Sequence, residues 1–283
     1  MKQVLLITWF CIGVTGVTFA APVAIVADVV GSARAKLKGK SLPLPLTAEI
    51  ETDTRIELAA KANIVLLYLR TGDTYSATGP TTLLVKPDTV KSSDTSKLLH
   101  VNAKPAFAGL RVVRPERYER GAIVMRTSLP SSPLRLLTLN GVNTLQTEPE
   151  FRWTTVDSIV EYHFQLFDQT GKLLHEDTVK ATSYRLPPAV SLIGGHTYTW
   201  SVATKSTGGP NYVNSGDFGL LTPEIREAIT ADRPSIQSPV AERVAFAIRL
   251  VSVGLRDEAH AIWRALAVER PNEVRLKALV PAK

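Results

Sequence analysis

NIVLLYLRTGDTYSATGPTTLLV, Asn63 to Val85, decides how the rest of the chain reads. Within its first eight residues the six from Ile64 to Leu69 are apolar, at odd and even positions alike. A strand of that kind has no face it can give to water, so it reads as a central strand covered on both sides. Gly72-Asp73 then turns the chain out of that strand, and Gly79-Pro80 turns it back into TTLLV. Between the two turns, Thr74, Ser76 and Thr78 fall on one face of a short strand, with Tyr75 and Ala77 on the other. The hydroxyls read as a solvent face and Asp73 as a turn residue, not as a catalytic cluster.

Working outward, strand-length apolar segments recur from Val23 to Lys86, with turn residues at Gly31, Gly39, Asp53, Gly72 and Gly79-Pro80. No helical period persists, which predicts an all-β module of short antiparallel strands over residues 21–86. The order VVGSARA, a polar loop, ETDTRIELAAKANIVLLYLRTGDTYSATGPTTLLV resembles the FecR-type domain. That family pairs a Val-Gly opening strand with a turn near ETDTRI and a strand pair closing on alternating Leu and Val. Thr71-Gly72-Asp73 stands where the family often has Asp-Gly, so this turn is permuted. The resemblance rests on residues 23–86 alone and on strands and turns, not on chemistry. It implies an extracytoplasmic β module. Sigma-factor regulation is not carried over, because the cytoplasmic segment that the best-known members use has no counterpart here.

Residues 87–127 form a connector in which DTVKSSDTSK reads as a loop. LRVVRP and GAIVMRT read as two short strands, either completing the first module or leading into the next. Residues 128–221 carry the cleanest alternation. Phe151 and Trp153 share one face of PEFRWTTV. Val160, Tyr162, Phe164 and Leu166 alternate with Glu161, His163 and Gln165 before a turn at Gln169-Thr170-Gly171, and Tyr198, Trp200 and Val202 alternate with Thr197, Thr199 and Ser201. Such alternation predicts half-buried antiparallel strands in a two-sheet sandwich. The combination is similar to a fibronectin type III or Ig-like module, and that resemblance implies presentation of surfaces without catalysis.

From Thr222 the pattern changes. Thr222-Pro223 and Ser238-Pro239 each offer a cap followed by proline at the first helical position. VAERVAFAIRLVSVGL repeats apolar residues at helical spacing and stops at Gly254. In RDEAHAIWRALAVERP, Ala259, Ile262, Trp263, Leu266 and Ala267 share one face. Residues 222–283 thus resemble one tetratricopeptide-type helical hairpin. A single unit cannot bury its own face, so it is expected to pack on the sandwich or on a partner's helices. The fold class expected for the whole chain is mostly β with a small α C-terminal region.

Residues 1–20, MKQVLLITWFCIGVTGVTFA, have a charged start, an uncharged apolar run and a small-residue end. They read as an export leader cleaved after Ala20, with a retained anchor as the alternative. Cleavage removes Cys11, the single cysteine, and with it disulfides, thiol catalysis and cysteine-ligated metal. An exported chain without cysteine fits a bacterial periplasm. Loss of Lys2 leaves 32 basic against 26 acidic residues. The densest basic segment, Arg111 to Arg120, reads as a solvated linker, with contact to an anionic surface as the alternative.

The residues that carry chemistry do not form motifs. His100, His163, His175, His196 and His260 show no metal-ligand spacing. Nucleophile-elbow, dinucleotide-binding and phosphate-loop patterns do not occur in the sequence. Glu148 and Glu150 flank Pro149 and read as a loop, and alternation turns Trp153 and Trp200 inward. No residue is therefore assigned a catalytic, cofactor-binding or metal-ligating role, and no cofactor is expected. The reading is a non-enzymatic periplasmic protein for sensing, scaffolding or recognition, whose partner is another envelope protein. Binding of carbohydrate or peptidoglycan is the alternative. Nucleic acid is not expected, and the membrane is touched only through a retained leader.

Overall fold

A computed structural model describes residues 21–37, 39–102, 133–156, 161–205 and 211–280. The leader, Val160 and the two connector segments LRVVRP and GAIVMRT lie outside the described residues. The described chain is mostly β, with α-helices confined to its C-terminal part.

The first module holds β1 (Ala24–Val30), β2 (Ala33–Leu37), β3 (Lys40–Pro43), β4 (Glu49–Ile50), β5 (Arg55–Leu58), β6 (Asn63–Tyr68), β7 (Thr74–Thr78), β8 (Thr81–Val85), β9 (Val90–Ser92) and β10 (Leu98–Val101). They form two antiparallel five-stranded sheets, ordered β10-β7-β6-β1-β4 and β3-β2-β5-β8-β9. β9 and β10, from the connector, thus each take an edge of this module. Between the sheets lies a core of Ala24, Val26, Ile56, Ile64, Leu66, Tyr68, Tyr75, Leu83 and Val85. Gly79 passes so close to the Ala59 carbonyl that a Cβ there would collide with it.

The other face of β1 and β6 is apolar too, as the opening stretch demands. Ile25, Ala27, Leu67 and Leu69 join a second core built with the C-terminal helices. Those helices are α1 (Pro223–Ala231), α2 (Val240–Ser252), α3 (Arg256–Glu269) and α4 (Val274–Ala278). α2 buries Val244, Phe246, Ala247 and Leu250 because the sheet covers one side of it and α3 the other. α3 contributes Ala259, Trp263 and Leu266, with Ile262 and Ala267 partly buried beside them. The hairpin therefore finds its main cover on the first β module, while Leu145 and Leu221 of the sandwich next to it in sequence pack at the margin of the same core.

An ion pair and a hydrogen bond add to this long-range contact. A bulge in β1 between Val26 and Asp28 brings Asp28 opposite Val65, on the helix side of the sheet. There Asp28 Oδ1 accepts from Arg270 Nη1 at 2.6 Å. Arg275 donates to the Thr47 carbonyl at 3.0 Å. Within the helical layer, the buried Arg243 pairs with Glu269 at 2.6 Å and donates to the Ser238 carbonyl. Thr222 caps α1 as its sequence predicts, accepting from the Ile225 N–H. Ser238 does not cap α2: its hydroxyl accepts from the Ser235 N–H, and Pro239 takes the cap position instead.

The second module holds β11 (Val142–Thr144), β12 (Glu150–Arg152), β13 (Glu161–Phe167), β14 (Leu173–Val179), β15 (Ser183–Arg185), β16 (Thr197–Lys205) and β17 (Val213–Leu220). A five-stranded sheet runs β11-β17-β16-β13-β14, and β12 and β15 form a separate two-stranded ribbon. β11 joins β17 in parallel, whereas the other paired strands are antiparallel. Phe151, Trp153, Tyr162, Phe164, Leu166, Tyr198, Trp200 and Phe218 fill the core. Ring edges meet ring faces there, Phe151 lying 4.9 Å from Phe164 and 5.1 Å from Trp200. Trp200 satisfies its indole N–H on the Leu139 carbonyl at 2.8 Å.

The α2–α3 turn joins this module to the helical layer. The Asn143 N–H donates to the Gly254 carbonyl, and its side-chain amide to the Val253 carbonyl, both at 2.8 Å. Gly254 sits at φ +79°, and a Cβ on it would stand 2.8 Å from the Asn143 amide nitrogen. Glycine ends α2 here for two reasons, backbone conformation and close approach.

Candidate partner-binding surface

The opening stretch leads to the edge of the first module. β7 pairs with β10 in the register Ala77–Leu98, Ser76–Leu99, Tyr75–His100 and Thr74–Val101. Alternation sends Leu98 and His100 to the sandwich side and Leu99 and Val101 to the outer side, beside Ser76 and Thr74. On that outer side the helices bury Leu67 of β6 to 1% exposure, but Leu99 is 62% and Val101 50% exposed. Among the described residues, one sheet face is thus covered over β1 and β6 and open over β7 and β10.

On the sandwich side the same strand is anchored. The His100 ring lies flat on Tyr75, with centroids 4.4 Å apart and planes 5° apart. Its Nε2 is 3.4 Å from Asp73 Oδ2. Asp73 is a turn residue as expected, its carbonyl accepting from the Tyr68 N–H, but its carboxylate also meets His100. Tyr68 packs edge-on to Tyr75 at 5.1 Å and aims its hydroxyl at the Thr89 carbonyl, 2.6 Å away. Burial, the largest cause, pushes that phenol well above the ordinary tyrosine range, so Tyr68 stays neutral. The pairing of His100 with Asp73 escapes a motif search. The alternation within KLLHV is the signal that could have placed His100 beside Tyr75.

The edges of the described sheets differ in how they are protected. β3 carries Lys40 and Pro43, β4 is two residues long with Glu49, β9 carries Lys91, and β14 carries Glu176 and Asp177. β11 is backed by the α2–α3 turn through Asn143. Charge, proline, short length and cover are the usual ways of blocking an edge from pairing with a further strand. β10, Leu-Leu-His-Val, has no acidic residue, lysine or proline, and among the described residues no strand pairs with its outer edge.

Of the remaining sequence candidates, His175 meets the Tyr184 hydroxyl at 2.6 Å, and the others stay apart. His163 lies on the outer face of β13, 3.5 Å from Glu176. His196 contributes backbone bonds to Ile193 and Leu220. His260 sits on α3, where burial first, then Arg264 and Arg256, hold its imidazole below the usual range against the pull of Asp257. Glu150 opens β12 and lies 3.7 Å from Arg185. Trp153 and Trp200 are buried in the second core. Among the described residues, no three of His, Cys, Asp and Glu converge in a group that could hold a metal ion, and no helix is long and apolar enough to cross a membrane.

No protein-family model matches the chain, and no curated protein matches it either. Among solved structures, the chain is similar to CopC from Methylosinus trichosporium OB3b, with 16% identity and a TM-score of 0.25. The match covers 32% of this chain and 95% of that one.

Proposed function

We propose that this chain is a non-enzymatic, exported protein of the bacterial envelope that recognises another envelope protein by taking an extended segment of it onto β10. The observation that carries the reading is the β10 edge, on which no strand of the described residues pairs, with Leu99 and Val101 exposed beside it. An added strand would satisfy the edge backbone groups and set alternate aliphatic side chains against those two residues. That contact would continue the layer the helices already form over β1 and β6. The resemblances to a FecR-type module, a fibronectin-like sandwich and a tetratricopeptide-like hairpin fit such a role, since modules of those kinds mostly present surfaces.

A photo-crosslinking residue placed at position 99 tests this in intact cells. A discrete adduct from 99, absent from the equally exposed position 42 on β3 and lost with Val101→Asp, supports the reading. Equal adducts from 42 and 99, or none from 99, would sink it. Deleting residues 222–283 is not an equivalent test, because it strips the cover from Ile25, Ala27, Leu67 and Leu69.

Binding of cell-wall polysaccharide is the second reading. The outer face of β13, β16 and β17 favours it, presenting Gln165, Ser201, Ser215 and a Thr199–Asp217 hydrogen bond of 2.7 Å. It ranks second because Trp153 and Trp200 are buried and cannot stack on a sugar ring. Failure to sediment with purified sacculi at low salt removes it.

A further inference from the structure

We infer that the edge of the second module holds a site for a divalent transition-metal ion of the Cu(II) kind, with His175, Asp177 and Tyr184 as its protein ligands. His175 and Asp177 lie two residues apart on β14, opposite Leu166 and Phe164 of β13. They therefore project from the same face of an edge strand. Tyr184 comes from β15, which β12 holds in register through Phe151. Its hydroxyl stands 2.6 Å from His175 Nε2 and donates to Asp177 Oδ2 at 3.1 Å. One nitrogen and two oxygens thus converge from two strands that are distant in sequence.

The spacing suits a shared ion. Ligands bonded at about 2.0–2.2 Å and set near right angles stand about 3 Å from one another. The two separations about the Tyr184 hydroxyl, 2.6 Å to His175 Nε2 and 3.1 Å to Asp177 Oδ2, bracket that value. Imidazole with oxygen donors is a set that suits Cu(II), which is also the tightest of the first-row divalent ions at a given site. Asp177 is exposed, so water can complete the coordination.

The ligands are held by their surroundings, as metal ligands generally are. The other Asp177 oxygen accepts from the Thr178 N–H at 2.7 Å. The Tyr184 ring rests on Phe164 at 4.6 Å and lies nearly parallel to the His175 ring, 16° between planes. Because the single phenol proton goes to Asp177, His175 Nε2 must donate to the phenol oxygen. On binding, the imidazole proton moves through water from Nε2 to Nδ1 and the phenol proton leaves to water, so that Nε2 and the phenolate oxygen each present a lone pair to the ion. The Asp177 carboxylate supplies the negative charge that attracts a cation to this edge.

The test is titration of the purified full chain with Cu(II), read by competition with a chelating dye and by visible absorption. One ion per chain is expected, with a phenolate-to-copper charge-transfer band. Tyr184→Phe keeps the ring packing on Phe164 and should abolish the band. His175→Gln should weaken binding at least about tenfold. His163→Gln, on the opposite face of the sheet, should leave both readouts unchanged. Absence of binding at micromolar protein and copper overturns the inference. So does binding that Tyr184→Phe and His175→Gln both leave as it was.

Discussion

The two five-stranded sheets that contain β6 and β13 are built alike but meet water differently. β13 alternates, with Tyr162, Phe164 and Leu166 in the core and Glu161, His163 and Gln165 outside. It needs cover on one side only, and β12, β15 and the loops around them supply it. β6 carries Ile64, Leu66 and Tyr68 on one face and Val65 and Leu67 on the other. That sheet is complete only when residues from the far end of the chain arrive. The first module is therefore discontinuous in sequence, and the second is inserted within it.

The largest expected effect breaks this difference open. Removing residues 222–283 should unfold the first module by exposing Ile25, Ala27, Leu67 and Leu69, while the second keeps its core. Trp153 and Trp200 belong to the second module and Trp263 leaves with the helices. Near-ultraviolet circular dichroism of the truncated chain should thus keep the tryptophan signal of a packed core, while strand content falls. Retention of full strand content would mean that the helices are an accessory to the first module. In the full chain, Phe246→Ala tests the same dependence more gently, with about 3–5 kcal/mol of destabilisation expected in urea unfolding.

How much of this was legible beforehand follows from the range of each interaction. Alternation is local, so the faces of Tyr162, Phe164, Trp200 and Phe151 could be read directly. The apolar run at Asn63–Arg70 announced a second cover but not its identity. Hydrophobic burial is non-directional, and any apolar helix face satisfies it. Ser238 looked like a cap because its neighbours in sequence allowed one, but the Ser235 backbone had already engaged its hydroxyl. The convergence of His175, Asp177 and Tyr184 depends on which strands pair and in what register. No spacing within one segment encodes that.

A smaller effect is expected where the two modules meet. Gly254→Ala forces a side chain into the left-handed region, costing about 1–3 kcal/mol, and drives its Cβ against the Asn143 amide. Pairing it with Asn143→Ala removes the collision but not the backbone strain. The double variant should therefore recover part of the loss and no more. Full recovery would show that contact, not conformation, selects glycine there. No loss in Gly254→Ala would mean that the turn does not join the modules as a fixed unit.

The smallest effect concerns a carboxylate inside the layer that distinguishes the first module. Glu258 has one oxygen buried without a partner. Burial is the largest cause raising its carboxyl above the usual range and Asp257 adds to it, while its own backbone N–H and Arg233 act the other way. The folded chain thus holds this proton to higher pH than the unfolded chain does. Its contribution to stability is complete below the ordinary carboxylate range and is lost as pH rises through the elevated value. Glu258→Gln removes the ionisation. The variant should match the native chain below about pH 4 and exceed it at pH 7, as urea unfolding at the two values will show. A loss at pH 7 would mean instead that the carboxylate's bond to the start of α3 outweighs its burial. The helical layer would then owe part of its stability to a charge it holds out of water.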